Sequence, residues 1–159
     1  MADDKAFNNV RDQWAYRVAP IMTFETWASA YGIPTSGGHT NDSELDGYVD
    51  LLEYALGSLP TNASSLARLD ANVDAMGSFS LWFARYANTT DISLFVESTD
   101  SLVPATTWRC ILSNMNARGW SGQASYIESA PTSGIAKVRI TNPDTASTNK
   151  FVRVRVEKH

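Results

Sequence analysis

The sequence predicts a mainly β protein in which short N-terminal helices precede an antiparallel β-sandwich. Up to residue 60, apolar residues recur three and four apart, which is a helical spacing. After residue 78 they alternate in short runs bounded by Gly, Pro, Asn and Asp, as in strands. The net charge also changes, from −6 over residues 1–70 to +2 over residues 71–159. We therefore expect a helical segment (1–60), a linker (61–77) and an antiparallel β-sandwich (78–159).

The first of three predicted helices lies at the N-terminus. Phe7, Val10, Trp14 and Val18 share one face of it, and Pro20 ends it. An amphipathic helix beside a β module either packs within the chain or docks into a groove on a partner. We expect the assembly contact here, because aromatic residues commonly anchor interfaces. The candidate partner-binding residues are Phe7, Val10, Trp14 and Tyr16.

Two further helices are predicted before residue 60. The second follows Thr23, whose side chain suits an N-cap, and ends at Gly32 in the C′ position. The third follows Gly47 and ends at Gly57. Its expected buried face comprises Val49, Leu52 and Leu56, with Leu51 and Tyr54 flanking it.

Six strands are predicted in the second part of the chain. The alternation is clearest where every second residue is Ile, Leu or Val. Turn-forming residues separate these runs, a pattern typical of a small antiparallel sandwich or barrel. The predicted strands are Phe79–Tyr86, Ile92–Ser98, Trp108–Leu112, Ala124–Glu128, Ile135–Thr141 and Phe151–Val156.

Composition argues against several classes of function. A net charge of −4 disfavours a dedicated nucleic-acid-binding protein, and no apolar run is long enough to cross a bilayer. The start at Met1 lacks the apolar segment of a secretory signal, so none is expected. Cys110 is the only cysteine, which precludes an intrachain disulfide, and its apolar neighbours predict a buried structural thiol. Of the two histidines, His39 is interpreted as an exposed loop residue and His159 is terminal.

Four basic residues, Lys137, Arg139, Arg153 and Arg155, alternate along two of the predicted strands. The alternation favours the exposed face of a half-buried sheet. It also allows a basic stripe that would bind a polyanion or an acidic neighbouring subunit.

One segment has the spacing of a metal site. Residues 42–53 place carboxylates at positions 1, 3, 5, 9 and 12 and a glycine at position 6, the pattern of an EF-hand calcium loop. Because a hard dication needs roughly six to eight oxygens, alternate side chains point inward while Gly47 permits the sharp turn. The predicted ligands of Ca²⁺ are Asp42, Glu44, Asp46, Asp50 and Glu53, together with the backbone carbonyl of Tyr48.

The loop departs from the common pattern at Glu44, where Asp or Asn is usual and Glu is one methylene longer. In an alternative interpretation, Asp46 and Gly47 only form a turn, while Asp50 and Glu53 lie on a solvated helix face. Five carboxylates within twelve residues would repel one another without a cation, which favours the metal site. A single loop is expected to stabilise the fold rather than to signal, because sensor EF-hands undergo opening of a helix pair.

The same segment carries a family resemblance. Asp46-Gly47, the run Leu51–Gly57 and Pro60 resemble the dockerin-like or thrombospondin type 3-like calcium motif of large secreted bacterial proteins. A weaker likeness extends over Phe24–Val156 and includes a short helix before the motif and a β-rich C-terminal module after it. The resemblance implies calcium at the five carboxylates of the loop. It also implies an extracellular appendage without chemistry of its own.

The expected function is that of a non-catalytic structural protein, stabilised by calcium, that decorates or cements a larger particle. A virion capsid or tail, or an extracellular surface layer, would be its location. Small size, low charge and the lack of an evident catalytic set favour this interpretation. The expected partners are other protein subunits, including copies of this chain, without nucleic acid or membrane insertion.

The alternative is a calcium-stabilised carbohydrate- or cell-surface-binding module of a secreted bacterial protein. Trp82, Trp108 or Trp120 would then supply an aromatic platform. A small hydrolase is a third hypothesis, although its acidic residues cannot be paired from the sequence.

Overall fold

Two four-stranded antiparallel sheets and two short helices make up the computed structural model, which describes residues 21–35, 40–103, 107–141 and 151–159. The helices are α1 (Phe24–Tyr31) and α2 (Asp50–Leu56). The strands are β1 (Leu69–Val73), β2 (Phe79–Tyr86), β3 (Ile92–Thr99), β4 (Arg109–Met115), β5 (Trp120–Gly122), β6 (Ser125–Glu128), β7 (Ile135–Thr141) and β8 (Phe151–Lys158). The mainly β, antiparallel class predicted from the sequence is therefore confirmed.

The strand order is β1-β2-β7-β6 in the first sheet and β5-β4-β3-β8 in the second. The sequence prediction matches β2 and β7 at both ends and finds the other four long strands within a few residues. It did not include β1 or β5. The interval 61–77, interpreted as a linker, contains β1, whose five residues are all exposed. Its apolar residues alternate with Asp70 and Asn72, two residue types that are rare in strands, so the short run was not recognised.

The core lies between the two sheets. The first sheet contributes alternate residues of β2 and β7, among them Leu81, Phe83 and Val138. In the second sheet a bulge after Val96 shifts the register with β4, so two consecutive β4 residues are buried. The buried apolar residues of the second sheet are Ile92, Leu94, Val96, Ile111, Leu112 and Trp120.

Capping interactions set the ends of α1 as the sequence predicted. The Thr23 hydroxyl accepts from the Thr26 backbone N–H, and the Thr26 hydroxyl accepts from the Thr23 N–H, forming a capping box. Gly32 ends the helix in the left-handed region at φ 69°. Gly57 ends α2 in the same way at φ 76°, and a Cβ there would lie 2.6 Å from the Cδ1 atom of Ile135. A Cβ would therefore require the end of the Ile135 side chain to move, and the positive φ is the main reason for glycine at position 57.

The buried face of α2 differs from the predicted one. Leu51, Tyr54 and Ala55 are buried together with Leu56, whereas Leu52 is only half-buried. Leu51, Tyr54 and Ala55 follow the i, i+3, i+4 spacing that turns one helical face toward α1 and β2. The prediction of Leu56 was right, but Leu51 and Tyr54 lie at the centre of the face rather than beside it.

Tyr54 joins the helices to the sandwich. Its ring is fully buried, with its centroid 5.7 Å from that of Phe24, 5.4 Å from Trp27 and 6.4 Å from Tyr86. Its hydroxyl lies 2.6 Å from the Met22 carbonyl oxygen and 2.7 Å from Asp91 Oδ1, so its single proton serves two acceptors. This hydroxyl and ring hold both helices against the start of β3.

Asp91 completes this junction. It directly precedes β3, and its Oδ2 accepts the backbone N–H of Phe24, the first residue of α1, at 2.7 Å. One carboxylate thus satisfies both a helix N-terminus and a buried phenol.

Some sequence predictions fall outside the described residues. The first helix, with Phe7, Val10, Trp14 and Tyr16, is among them, and so is His39. Within the described ranges, neither helix has the length and apolar character that a bilayer-crossing helix requires.

Replacing Tyr54 by Phe is expected to lower the free energy of unfolding by about 1–3 kcal/mol, because Asp91 Oδ1 loses a buried donor. Urea unfolding followed by circular dichroism measures the change. Tyr126→Phe is the matched control, since Tyr126 is 43% exposed and its hydroxyl has no hydrogen-bond partner within the described ranges. Equal stability of wild type and Tyr54→Phe would contradict this role for the hydroxyl.

Candidate metal centre

The predicted calcium loop closes onto the first turn of α2. The Asp50 backbone N–H donates to the Asn41 carbonyl at 2.7 Å, which brings the two ends of the loop together. Inside the loop, Asp42 accepts the N–H groups of Asp46 and Gly47 at 3.1 and 2.8 Å. Asp46 Oδ1 accepts the N–H of Tyr48 at 2.8 Å. Carboxylates at loop positions 1 and 5 therefore organise the turn from within.

Two residues of the loop have positive φ. Gly47 at φ 93° has the conformation for which the sequence predicted a glycine. Leu45 has φ 60° and is 87% exposed. A bulky residue in the left-handed region stores backbone strain, so the surrounding loop contacts must hold this shape.

Three of the predicted ligands come together. Carboxylate oxygens of Glu44, Asp50 and Glu53 lie within 4.8 Å of one another. Asp50 and Glu53 are three residues apart on α2 and therefore share one side of its first turn. Both are fully buried, at 0% exposure, whereas Glu44 reaches them from the loop and is half-buried.

Hydrogen bonds satisfy this cluster only in part. Both Asp50 oxygens accept from Ser43, one from its backbone N–H at 3.0 Å and one from its hydroxyl at 2.9 Å. Glu53 Oε1 accepts from the Ser58 hydroxyl at 2.9 Å. Four further buried oxygens lack a partner among the described residues: both of Glu44, Oδ2 of Asp46 and Oε2 of Glu53. Because such oxygens are strong acceptors, an additional positive group or donor would be stabilised here.

The pKa values of the two glutamates are raised, as expected for buried carboxylates that lie close together. Burial raises the pKa of Glu53 to about 8, and the charges of Glu44 and Asp46 also raise it, against the opposing hydrogen bond from Ser58. Burial likewise raises the pKa of Glu44, with the charges of Asp46 and Asp50 adding to the effect. Among the described residues, no basic side chain offsets these carboxylate charges.

The arrangement can hold a metal ion. Clustered carboxylate oxygens are the donors that hard divalent cations prefer. Of the six predicted ligands, the structure brings together Glu44, Asp50 and Glu53, with Asp46 close enough to perturb both glutamates. Asp42 uses both oxygens on backbone N–H groups. The full ligand set, including the Tyr48 carbonyl, stays a prediction, and Ser43 and Ser58 are supporting residues that the spacing rule did not include.

The four basic residues do not form the single stripe that the sequence allowed as an alternative. Lys137 and Arg139 lie on β7 in the first sheet, whereas Arg153 and Arg155 lie on β8 in the second. Arg153 Nε and Arg155 Nε donate to the two oxygens of the buried Glu97 at 2.8 and 3.0 Å. Arg155 also pairs with Glu157, so two carboxylates face these two guanidinium groups within the sheet.

Cys110 is exposed on β4, which corrects the expectation of a buried thiol. The bulge after Val96 pairs Glu97 with Cys110 and skips Ile111, so Cys110 shares the outward face of Glu97. Alternation read along β4 alone does not reveal such a shift.

The three tryptophans proposed as a platform differ in environment. Trp120 is 9% exposed and its Nε1 donates to Glu128 at 3.0 Å, so it is a core residue. Trp108 is half-buried, with the Arg153 guanidinium 4.1 Å from its ring centroid. Trp82 is 41% exposed on β2.

The pKa of Glu53 predicts a pH dependence of stability in the metal-free protein. The unfolded chain releases this proton near pH 4.5, but the folded chain holds it until about pH 8. Because the folded state binds more protons between these values, stability falls as the pH rises across this window. Thermal unfolding between pH 5 and 8, after removal of metal, measures the trend.

Glu53→Gln is expected to flatten this pH dependence, because the amide does not titrate. Asp100→Asn is the matched control, since Asp100 is exposed and outside the loop. A wild-type midpoint that rises from pH 5 to 8, or an unchanged slope in Glu53→Gln, would contradict the assignment.

Comparison with known proteins supplies no family for this chain. No family model matches it, and neither the curated proteins nor the solved structures include a significant match. The resemblance of the loop to dockerin-like and thrombospondin type 3-like motifs therefore stays a prediction.

Proposed function

We propose that this protein is a non-catalytic structural module whose loop and α2 are stabilised by a calcium ion, and that it acts as a subunit of a larger assembly. The observation that carries the proposal is the cluster of Glu44, Asp50 and Glu53, in which the buried Glu53 Oε2 has no partner among the described residues. A dication would offset the mutual repulsion of these carboxylates and occupy the open acceptor positions.

Calcium is favoured over magnesium by the ligand types and their support. Calcium accepts roughly six to eight oxygens in flexible geometry, including bidentate glutamate, whereas magnesium demands a near-ideal octahedron. Glu44 and Glu53 are long carboxylates from two different segments, with three open oxygens between them. Such a set adapts more readily to the larger calcium ion than to magnesium, which requires a small and rigid coordination shell.

The bound ion would act on the whole helical layer. Asp50 and Glu53 lie on one side of α2, and Tyr54 on the same short helix packs against α1 and Tyr86 of β2. An ion that fixes the first turn of α2 therefore also fixes the residue that joins the helices to the sandwich. This coupling supports a structural role for the metal rather than a catalytic one.

The surface supports association with other subunits. Several large apolar side chains are exposed, and the most exposed are Met76 at 89% and Leu45 at 87%. Leu45 lies in the strained loop beside the carboxylate cluster. Exposed apolar side chains are open to contact with another protein, and a loop ordered by calcium would present Leu45 in one conformation. A capsid, tail or surface layer is the proposed setting.

Calcium is expected to stabilise the folded protein at pH 8. At a free calcium concentration of 100 times Kd, the stabilisation amounts to about 2.7 kcal/mol. Asp46→Ala should lower the thermal midpoint more in calcium than in chelator, because loss of the hydrogen bond to the Tyr48 N–H acts in both conditions and loss of an ion ligand acts only in calcium. Calorimetric titration and thermal scans with calcium, magnesium and chelator measure both effects.

Asp100→Asn is again the control and should bind calcium like the wild type. An equal loss of stability for Asp46→Ala with and without calcium would mean that Asp46 acts only through its hydrogen bond to Tyr48. That result, or a titration without binding heat and without a shift in midpoint, would overturn the calcium proposal.

Light scattering of the purified protein tests the assembly role. A defined oligomer is expected in calcium, with a lower mass in chelator, because the ion orders the loop that carries Leu45. Glu53→Gln in calcium should match the chelated wild type. A monomer under all three conditions would contradict calcium-dependent self-assembly.

A further inference from the structure

A cleft of about 800 Å³ lies between the segment that follows α2 and the face of the first sheet formed by β1 and β2. Its volume is within the range of small-molecule sites. Arg68, Asp70, Asn72, Trp82 and Lys137 are among the residues that line it.

The sheet register places the polar and aromatic residues on one face. Asp70 on β1 pairs directly with Trp82 on β2, and Asn72 follows two residues later on the same side of β1. Lys137 on β7 pairs with Ala84, two residues beyond Trp82. The cleft therefore combines an indole with a carboxylate, an amide and cationic groups within one sheet surface.

The indole of Trp82 is restrained by one neighbouring side chain, and part of its surface is exposed in the cleft. The Arg139 guanidinium lies 4.7 Å from the ring centroid, and Arg139 is not among the residues that line the cleft. The cation restrains the indole, while 41% of Trp82 stays exposed. An aromatic ring that is fixed in position loses little conformational entropy when a ligand stacks on it.

The polar side chains around the indole are available to form hydrogen bonds with a ligand. Those of Arg68, Asp70, Asn72 and Lys137 make no hydrogen bond or ion pair with any residue in the described ranges. They include donors and acceptors, with two cationic groups, one carboxylate and one neutral amide. A phosphate or other strong anion would need donors alone and would meet the Asp70 carboxylate.

We propose that this cleft binds a neutral saccharide, with an apolar face of a sugar ring against Trp82 and its hydroxyl groups on Asp70 and Asn72. Each sugar hydroxyl both donates and accepts, which matches this mixed set of side chains. The apolar C–H face of the ring matches the exposed indole. The proposal goes beyond the structural role, since it assigns recognition to a surface separate from the calcium loop.

Native affinity electrophoresis in gels that contain soluble mixed-linkage β-glucan, xylan, galactomannan or dextran tests the proposal. We expect at least one of these polysaccharides to retard the protein and to quench its tryptophan fluorescence. Trp82→Ala should weaken that binding about tenfold or more, corresponding to loss of about 1.4 kcal/mol. Asn72→Ala on the exposed strand β1 provides a second variant that does not perturb the core.

Trp108→Ala is the matched control, because Trp108 also lies beneath an arginine but directly precedes β4 of the second sheet. It should bind like the wild type, and thermal scans establish that each variant is folded. The proposal is overturned if none of the four polysaccharides retards the protein. It is also overturned if Trp108→Ala weakens binding as much as Trp82→Ala, or if both Trp82→Ala and Asn72→Ala bind unchanged.

Discussion

The short helix α2 must bury carboxylates together with apolar side chains, and the arrangement of the helical layer depends on this constraint. Tyr54 and Ala55 pack against α1 and the sandwich, whereas Asp50 and Glu53 on the same seven-residue helix are buried against the loop. Apolar burial is favourable in itself, but a buried carboxylate needs donors or a cation. Hydrogen bonds from Ser43 and Ser58 supply part of that requirement. The carboxylate oxygens that no donor reaches are the physical basis for the proposed metal site.

The junction between the helices and the sandwich uses polar groups in a different way. Asp91 accepts both from the start of α1 and from the Tyr54 hydroxyl, so its carboxylate is well satisfied. Glu97 on the second sheet is equally well paired, with one arginine on each oxygen. By contrast, both carboxylate oxygens of Glu44 and the Oε2 atom of Glu53 have no hydrogen-bond partner within the described part of the chain. Elsewhere the fold pairs its buried acids, which makes the loop chemically distinct.

The two proposed sites are separate surfaces on one scaffold. The carboxylate cluster lies at the first turn of α2, whereas the cleft with Trp82 begins where α2 ends, at Leu56 and Gly57. An ion at the first turn would hold the helix whose end forms one wall of the cleft. Gly57, whose φ of 76° favours glycine, lies against the side chain of Ile135 where this wall meets the first sheet. Structural stabilisation and recognition are therefore compatible in one small protein.

Local pattern alone determined the caps at Thr23, Gly32 and Gly57, the bounds of β2 and β7, and the carboxylate spacing of the loop, because each depends on neighbours in sequence. Tertiary structure decided what depends on distant partners. The bulge after Val96 turned Cys110 outward, β1 formed by pairing with β2 despite its exposed residues, and β7 and β8 joined different sheets. Likewise, only the folded chain selects Glu44, Asp50 and Glu53 from the loop carboxylates, because α2 buries the latter two while backbone N–H groups occupy Asp42.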